Sequence, residues 1–413
     1  MIAALRGLSP RSRRRYNEYW CGAGCLQRFL QGKAKARFGV KIKAIEAIAV
    51  SLPMKKPVQM AGETVARADN VLVRIESEDG VVGWGEAASA LVMTGETVAS
   101  MMAAVELMTP GLLKRPADDL AGAAAAMEAR LYGNTGAKAA VEIALHDLVG
   151  RATGRPVYAL FGGRRRRGMP VLAIIGSTDA AADLDEAQQR LAAGYRAFKI
   201  KVGLSAAKID AERTRSICSA LKRAGEPCLV SADANQGFAV DDAIAYVCAL
   251  GDCGLDFFEQ PVAAHDLDGM ARVAAASATP IGADEGLHSR DDILRHHERK
   301  AAGGGSLKAI KLGGLRALFA ASELAARLGM KVNISCKTGE SSVASAAAAH
   351  VATAVPELAW GLTVTNLGLA EDVAVDPLAV MRGHVEVPDR PGLGIEVDER
   401  RVRRRQQEFR RVA

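Results

Sequence analysis

A series of polar residues recurs at a nearly constant interval along the second half of this 413-residue chain. The series is Asp233, Glu259, Asp284, Lys311 and Cys336, and subtraction gives intervals of 26, 25, 27 and 25 residues. Each interval contains a short apolar run, loop residues and a stretch long enough for one helix. A strand and a helix that alternate with this period are typical of a TIM-type barrel, in which parallel strands close into a ring.

Eight apolar runs could supply the strands, and they lie at residues 171–175, 197–202, 228–233, 255–259, 280–284, 307–312, 331–336 and 358–362. An open doubly wound sheet is the alternative, but no Gly-x-Gly-x-x-Gly motif follows the first run. Upstream, two β runs flank a turn at Asp79 and Gly80, and a helical pattern follows. The sequence therefore favours a barrel preceded by a small α+β unit.

Charge marks the ends of the chain. Residues 1–40 carry nine lysines and arginines against the single acid Glu18, and residues 400–411 contain seven arginines, so the formal charge of +7 lies in the two ends. We interpret residues 1–39 as a basic, disordered extension, 40–165 as an α+β capping domain, 166–370 as the barrel, and 371–413 as a segment that returns to the cap and ends in a basic tail. Basic tails on a nearly neutral middle do not predict a nucleic-acid partner.

Other compositional features concern location. No run of 18 apolar residues occurs, so we expect no membrane partner. The seven cysteines are odd in number and scattered, which favours a reducing compartment. No apolar stretch of the kind found in secretory signals follows the arginines at 13–15. These features predict a cytoplasmic protein.

Three of the recurring residues are acids at the ends of consecutive strands: Asp233, Glu259 and Asp284. The carboxyl ends of barrel strands meet at one mouth, where three carboxylates would repel each other unless a cation lay among them. Oxygen ligands favour Mg²⁺, with Mn²⁺ as a possible substitute. A single acid at a strand end is more often an ordinary loop residue, so this prediction depends on all three.

Lysines flank these acids. Lys199 and Lys201 are two residues apart, so they share one face of the second strand. Burial and mutual repulsion would lower a lysine pKa, which suits a base that works near neutral pH. Lys311 is predicted to end the sixth strand, four strands away and so across the mouth; Lys308 is the alternative at that strand.

These motifs, Lys-x-Lys at 199–201, Asp-x-Asn at 233–235, Glu-Gln-Pro at 259–261 and Ala-Asp-Glu at 283–285, resemble those of the enolase superfamily. Within it, the chain is most similar to the muconate lactonizing enzyme subgroup of the mandelate racemase/muconate lactonizing enzyme family, and Gly-Trp-Gly-Glu at 83–86 extends the likeness into the cap. The resemblance implies a modified TIM (β/α)7β barrel with an N-terminal α+β capping domain. It also implies removal of the proton beside a substrate carboxylate, through an enediolate held on Mg²⁺.

The resemblance further assigns roles by position. The base, its neighbour and the second lysine fall on Lys201, Lys199 and Lys311, the metal ligands on Asp233, Glu259 and Asp284, and the residues behind those ligands on Asn235 and Glu285. Glu340 falls where relatives often have an acid that hydrogen-bonds the substrate carboxylate, as Lys199 is also expected to do. Trp360 could face a cationic part of the substrate or be a packed core residue. A small-molecule carboxylate substrate and a homo-oligomer are expected, and the loop that selects the substrate is expected in the cap, near residues 55–67 and Glu96.

Three chemistries share this predicted site. A racemase or epimerase of an amino-acid derivative is favoured, a muconate-type cycloisomerase is the first alternative, and a dehydratase of a hydroxyproline-like acid is the second. Residues 333–337 contain no histidine, which disfavours the mandelate racemase subgroup. A non-enzymatic binding protein is disfavoured because every expected ligand is present.

Overall fold

The structure, a computed structural model, describes residues 39–60, 63–177 and 179–412. The predicted basic extension lies outside these residues, except for Gly39. Within them the polypeptide forms a small mixed unit followed by a barrel, and the chain then returns to the first unit. The predicted fold class is confirmed.

The cap consists of an antiparallel sheet with the order β1-β2-β3, packed against three helices. Its elements are β1 (Ile42–Met60), β2 (Glu63–Ser77), β3 (Val82–Ala88), α1 (Val98–Leu112), α2 (Leu120–Arg130) and α3 (Thr135–Ala152). Helix α3 approaches β3 so closely that a Cβ atom at Gly85 would lie 1.9 Å from the carbonyl oxygen of Ala140, and one at Gly83 2.3 Å from that of Ala144. The two glycines of the Gly-Trp-Gly-Glu motif therefore permit this helix–strand contact.

The barrel has eight parallel strands that pair in chain order. They are β5 (Ala173–Ile175), β6 (Ala197–Lys201), β7 (Leu229–Asp233), β8 (Phe257–Glu259), β9 (Ile281–Ala283), β10 (Gly304–Leu307), β11 (Lys331–Ser335) and β12 (Leu362–Thr363). A parallel bridge between Val171 and Leu362 closes the ring. The last strand has no helix after it that returns to the barrel, which gives the (β/α)7β form.

Helices connect successive strands on the outside of the ring. They are α4 (Ala180–Ala192), α5 (Ala207–Arg223), α6 (Val240–Leu250), α7 (Leu267–Ala276), α8 (Arg290–Glu298), the short α9 (Ala309–Leu312) with α10 (Leu315–Arg327), and α11 (Ser342–Ala354). Their apolar faces and the strands form one continuous core. None of the described helices combines the length and the apolar character that crossing a membrane requires.

The position of the sixth strand differs from the prediction. The run at 307–312 was expected to be the strand, but β10 occupies Gly304–Leu307 and the rest of the run turns into α9. A strand of small residues fits here because neighbouring side chains fill the space: a Cβ atom at Gly304 would lie 2.5 Å from the indole ring of Trp360, and one at Gly305 2.4 Å from Leu287. A glycine-rich run of this kind resembles a loop in sequence.

The C-terminal segment returns to the cap. A two-stranded sheet of β4 (Gly168–Pro170) and β13 (His384–Glu386) precedes the last helix, α12 (Glu399–Val412). In that helix Arg403 forms two hydrogen bonds to Glu46 of β1, at 2.6 and 2.7 Å. Part of the basic C-terminal charge is thus neutralised within the fold.

Candidate active site

Three carboxylates lie side by side at the barrel mouth. Asp233 ends β7 and is paired in register with Glu259, which ends β8, while Asp284 follows β9 directly. All three side chains are almost fully buried. Because adjacent strand ends carry them, they line one cavity of about 420 Å³.

Two lysines of β6, Lys199 and Lys201 (the β6 pair), reach this cavity from one side. Lys199 Nζ lies 2.8 and 2.7 Å from the two carboxylate oxygens of Glu259. Lys201 Nζ lies 2.7 Å from Asp233 Oδ2 and 2.6 Å from Asn235 Oδ1. The two-residue spacing on a strand therefore gives each lysine its own acidic partner.

The side chain expected across the mouth, Lys311, is not at a strand end, so that prediction is wrong. Lys308 is the first residue beyond β10 and lines the cavity, whereas Lys311 lies one turn farther on, in α9, and is not part of the cavity wall. Lys308 and Lys311, which we call the β10 pair, both bind Asp284. Lys311 Nζ lies 2.6 Å from Asp284 Oδ1 and 2.9 Å from the carbonyl oxygen of Ser306, and it also binds the Asp284 carbonyl, so its three donors are used.

The charges of the site depend on this pairing. Burial opposes ionisation of Asp284, but Lys308 and Lys311 outweigh it and hold the pKa of Asp284 well below its usual range. Burial likewise opposes the charge of Lys199, yet attraction to Glu259 and Asp233 raises the pKa of that lysine. The expected lowering of the Lys199 pKa by its neighbour on β6 is therefore wrong, because the carboxylates are closer partners.

The β10 pair is unequal. Burial disfavours the charge of both lysines, but Asp284, Glu285 and Glu259 together raise the pKa of Lys308. The pKa of Lys311 is lowered, chiefly by burial and also by repulsion from Lys308. The interaction with Asp284 is what keeps an ammonium group at this buried position.

Residues behind the carboxylates orient them. Gln260, with a positive φ of 35° at the end of β8, accepts hydrogen bonds from the backbone N–H groups of Asp284 and Gly286 at 2.8 and 3.1 Å. Asn235 donates to Glu285 at 3.1 Å. Burial and the neighbouring charge of Asp284 raise the pKa of Glu285 to about 7. Asn235 and Glu285 thus lie where the sequence placed them, while the role of Gln260 was not foreseen.

The donor set fits Mg²⁺ in chemistry and position. It offers six carboxylate oxygens on adjacent strand ends, and Glu285 Oε2 beside them has no hydrogen-bond partner within the described part of the chain. In residues 39–60, 63–177 and 179–412, no three acid, histidine or cysteine side chains are grouped closely enough to form a metal site as they stand. Each of the three carboxylates binds a lysine. A carboxylate has two oxygens and about four lone-pair directions, so each of the three can keep its lysine partner and still offer lone pairs to an ion.

Glu340 is not part of the cavity wall in this structure, and its contact with a substrate carboxylate stays a prediction. It is buried between cap and barrel, where Glu340 Oε2 accepts the backbone N–H of Lys337 at 2.8 Å. Burial and repulsion from Glu86 raise its pKa to about 8. The acid therefore lies between the barrel loop after β11 and Glu86 of the cap strand β3.

The expectation that Trp360 could face a substrate is wrong, and the core reading is right. Its ring stacks on Phe257 with centroids 4.1 Å apart, at the opposite end of the strands from the carboxylates. Leu172 and Ala197 complete this buried cluster. Trp360 closes the floor of the barrel and fills the space above Gly304.

The cap completes the cavity with residues that sequence reasoning missed. Val92 and Met93 line it from the loop after β3, and Lys337 lines it from the loop after β11. Glu96, expected near the substrate, instead accepts the backbone N–H groups of Gly136 and Ala137 and so caps α3. The remaining predicted loop, 55–67, contains residues 61 and 62, which lie outside the described residues.

Comparison with known proteins identifies the family. Residues 44–162 match the model of the mandelate racemase/muconate lactonizing enzyme N-terminal domain, and residues 182–401 match that of the enolase C-terminal domain-like family. The chain is 30% identical to N-succinyl-L-Arg/Lys racemase of Bacillus cereus over 87% of this chain and 96% of that protein. It is 33% identical to muconate cycloisomerase 1 of Pseudomonas putida over 88% of this chain and 98% of that protein.

A solved structure agrees with these matches. The muconate lactonizing enzyme from Pseudomonas fluorescens, determined with muconolactone, superimposes with a TM-score of 0.84 at 32% identity and covers 88% of this chain and 99% of that one. The fold of the cap and the barrel is thus shared over nearly the full length of the relatives. The chain belongs to the mandelate racemase/muconate lactonizing enzyme family of the enolase superfamily, an isomerase family whose members generally use Mg²⁺.

Proposed function

We propose that this enzyme removes and returns the α-proton of a small carboxylate, with Lys201 and Lys308 as bases on opposite faces of the α-carbon. One observation carries the proposal: these two lysines lie on β6 and beyond β10, four strands apart in an eight-stranded ring, and line the same cavity. The carboxylates of β7, β8 and β9 lie on the strands between them. A substrate held at the carboxylates would have one lysine on each side.

Asp233, Glu259 and Asp284 would hold the Mg²⁺ ion, with Mn²⁺ as a substitute. When bound, the ion supplies a Lewis acid that stabilises negative charge on the substrate carboxylate as the proton leaves. Asn235 and Glu285 would orient the ligands through their mutual hydrogen bond.

The lysines divide the remaining work. A proton moves between the α-carbon and Nζ of Lys201 on one face, and between the α-carbon and Nζ of Lys308 on the other. Lys199, which binds both oxygens of a carboxylate in this structure, is suited to hold a substrate carboxylate. One base must be neutral and the other protonated at the start of each turnover, so we expect a bell-shaped pH profile.

Racemisation or epimerisation of an amino-acid derivative is the reaction that we propose. This reaction uses both lysines as bases, and a cavity of about 420 Å³ is large enough for an amino-acid derivative. A muconate-type cycloisomerisation is the second candidate, because the cycloisomerase relative is as similar as the racemase. There only one lysine would transfer the proton. A cytoplasmic location and a homo-oligomer stay predictions.

The test is deuterium exchange in D₂O with Mg²⁺, using N-succinyl and N-acetyl amino acids of both configurations and following loss of the α-proton signal by NMR. Muconate is assayed in parallel by its absorbance. Lys201→Ala and Lys308→Ala should each abolish exchange for one enantiomer, and Lys331→Ala, an exposed lysine on the same barrel, is the control. Full racemisation by Lys308→Ala, or turnover that survives removal of metal by a chelator, would show that the proposal is wrong.

A further inference from the structure

A buried charged cluster lies directly behind Lys201, on the outer side of the barrel. Arg213 of α5 donates from Nη2 to the backbone carbonyl of Lys201 at 2.6 Å. The same guanidinium binds Asp183 of α4 at 2.5 Å and Asp210 of α5 at 2.9 Å. All three charged side chains are buried, with exposed fractions of 3%, 0% and 0%.

The second oxygen of each carboxylate holds a neighbouring loop. Asp183 Oδ1 accepts both the backbone N–H and the hydroxyl of Ser177, each at 2.7 Å, in the loop after β5. Asp210 Oδ2 accepts the backbone N–H of Gly203 at 2.7 Å, in the loop after β6. Arg213 therefore joins the end of β6 to the loops on both sides of it.

The loop after β5 also touches the side chain of Lys201. A Cβ atom at Gly176 would lie 2.7 Å from Lys201 Cβ and 3.0 Å from its Cγ. The backbone at Gly176 therefore packs against the first carbons of the Lys201 side chain. Arg213 thus binds the Lys201 carbonyl directly. Asp183 binds Ser177, which follows the glycine that packs against the first carbons of the Lys201 side chain.

Burying one guanidinium and two carboxylates costs more free energy than packing apolar residues of the same volume, so stability alone does not account for the cluster. Orientation does, because a planar guanidinium with three acceptors fixes direction as well as distance. The β10 side is held differently: the Lys308 carbonyl accepts the backbone N–H groups of Lys311 and Leu312, both at 3.2 Å, in the turn that begins α9.

We propose that Arg213, with Asp183 and Asp210, is a positioning residue for Lys201 and not for Lys308. This inference rests on the proposed two-base function. It predicts a one-sided defect. When the guanidinium is replaced, proton transfer on the Lys201 face slows while transfer on the Lys308 face continues.

The variant to test is Arg213→Lys, which keeps the positive charge but loses the planar guanidinium with its several N–H donors. We expect α-proton exchange of the enantiomer served by Lys201, as identified with Lys201→Ala, to fall about 10–100-fold, the effect of a displacement near 1 Å. The exchange rate of the other enantiomer should stay within about threefold of wild type. Its intermediate should more often be reprotonated with retention of configuration, because reprotonation from the Lys201 face is slow. The loss should appear in kcat, with KM little changed.

Arg151→Lys is the matched control. Arg151 also binds a fully buried aspartate, Asp147, at 2.9 Å and a backbone carbonyl, that of Ile395, but it lies between the cap and the C-terminal segment, away from Lys201. A general loss of folding should reduce the exchange of both enantiomers by one factor in either variant. Thermal unfolding of both variants measures any such loss.

A second measurement needs no substrate. In protein labelled with ¹⁵N and ¹³C at lysine, Lys201→Ala and Lys308→Ala identify the two Nζ–Cε signals. Arg213→Lys should shift the Lys201 signal and leave the Lys308 signal in place. Equal slowing of both enantiomers, or an unchanged Lys201 signal, would overturn the inference, whereas absence of exchange in the wild-type enzyme would count against the proposed function alone.

Discussion

The two lysine pairs that face each other across the barrel contain the same charges but are built differently. Lys199 and Lys201 project from one strand and bind two different carboxylates, Glu259 and Asp233. Lys308 and Lys311 come from a strand end and a helix turn and bind the same carboxylate, Asp284. On β6 both ammonium groups line the cavity, and beyond β10 only Lys308 does.

This difference in construction decides which lysines can contact a ligand in the cavity and which can act only on a neighbouring side chain. A strand presents alternate residues to one face, so two lysines at that spacing both reach a ligand. A turn of helix sends the second lysine beneath the first, where it can act only through the carboxylate. On the β6 side the supporting charge comes from outside the barrel, through Arg213. On the β10 side it comes from Lys311, which shares Asp284 with Lys308.

The largest expected effect is loss of a carboxylate. Asp233→Asn and Asp284→Asn should each lower activity by about 10³-fold or more, because each removes a charged metal ligand. They should differ in stability. Asp284→Asn leaves two ammonium groups of the β10 pair without their carboxylate and should reduce the free energy of unfolding by about 3–5 kcal/mol, whereas Lys201 keeps Asn235 when Asp233 is changed.

Calorimetric titration with Mn²⁺ and urea unfolding of the two variants measure these effects. Wild-type enzyme treated with a chelator should lose activity and regain it with Mg²⁺. Equal losses of stability in the two variants would contradict the proposed difference between the lysine pairs.

The next effect concerns Lys311. Lys311→Met removes the buried ammonium group but leaves Asp284 bound to Lys308. Because the carboxylate loses one of its two orienting partners, Mn²⁺ affinity should fall about 10–100-fold, while both enantiomers still exchange. Lys308→Met is the matched variant and should lose exchange on one face. If Lys311→Met also loses one face selectively, the assignment of Lys308 as the base is wrong.

These two pairs also show what the sequence could and could not predict. Strand periodicity placed Lys199 and Lys201 correctly, since spacing along a strand is a local property. Lys311 was misplaced because β10 is made of small residues whose neighbours across the barrel, above all Trp360, fill the space that side chains usually take. The link from Arg213 to Asp183 joins residues 30 positions apart on different helices, so no local pattern indicates it.

A smaller effect is expected at Glu340. Its pKa of about 8 in the folded protein exceeds its ordinary value of 4.5, because the acid is buried beside Glu86. Between these pH values the unfolded chain binds fewer protons than the folded one, so this group makes the free energy of unfolding fall as pH rises from about 4.5 to 8. Glu340→Gln removes that slope, so the stability of this variant relative to wild type should be greater at pH 8 than at pH 5, by about 3 kcal/mol.

Urea unfolding at pH 5, 6, 7 and 8 measures the slope. Glu396→Gln, at an exposed position, is the control and should leave the slope unchanged. The two bases should keep their exchange rates in Glu340→Gln, because the acid is not part of the cavity wall. A selective loss of exchange in this variant would support the assignment of Glu340 to the substrate.

The smallest effect is expected from removal of residues 1–38. The first family match begins at residue 44, and β1 begins at Ile42, so the part of the chain that resembles the relatives starts after the basic stretch. A chain that begins at Gly39 should therefore fold with an unchanged unfolding temperature and keep the ratio of the two enantiomer exchange rates. A change in that ratio would mean that the basic stretch acts on one side of the cavity, whereas an equal fall in both rates would indicate a contribution to folding.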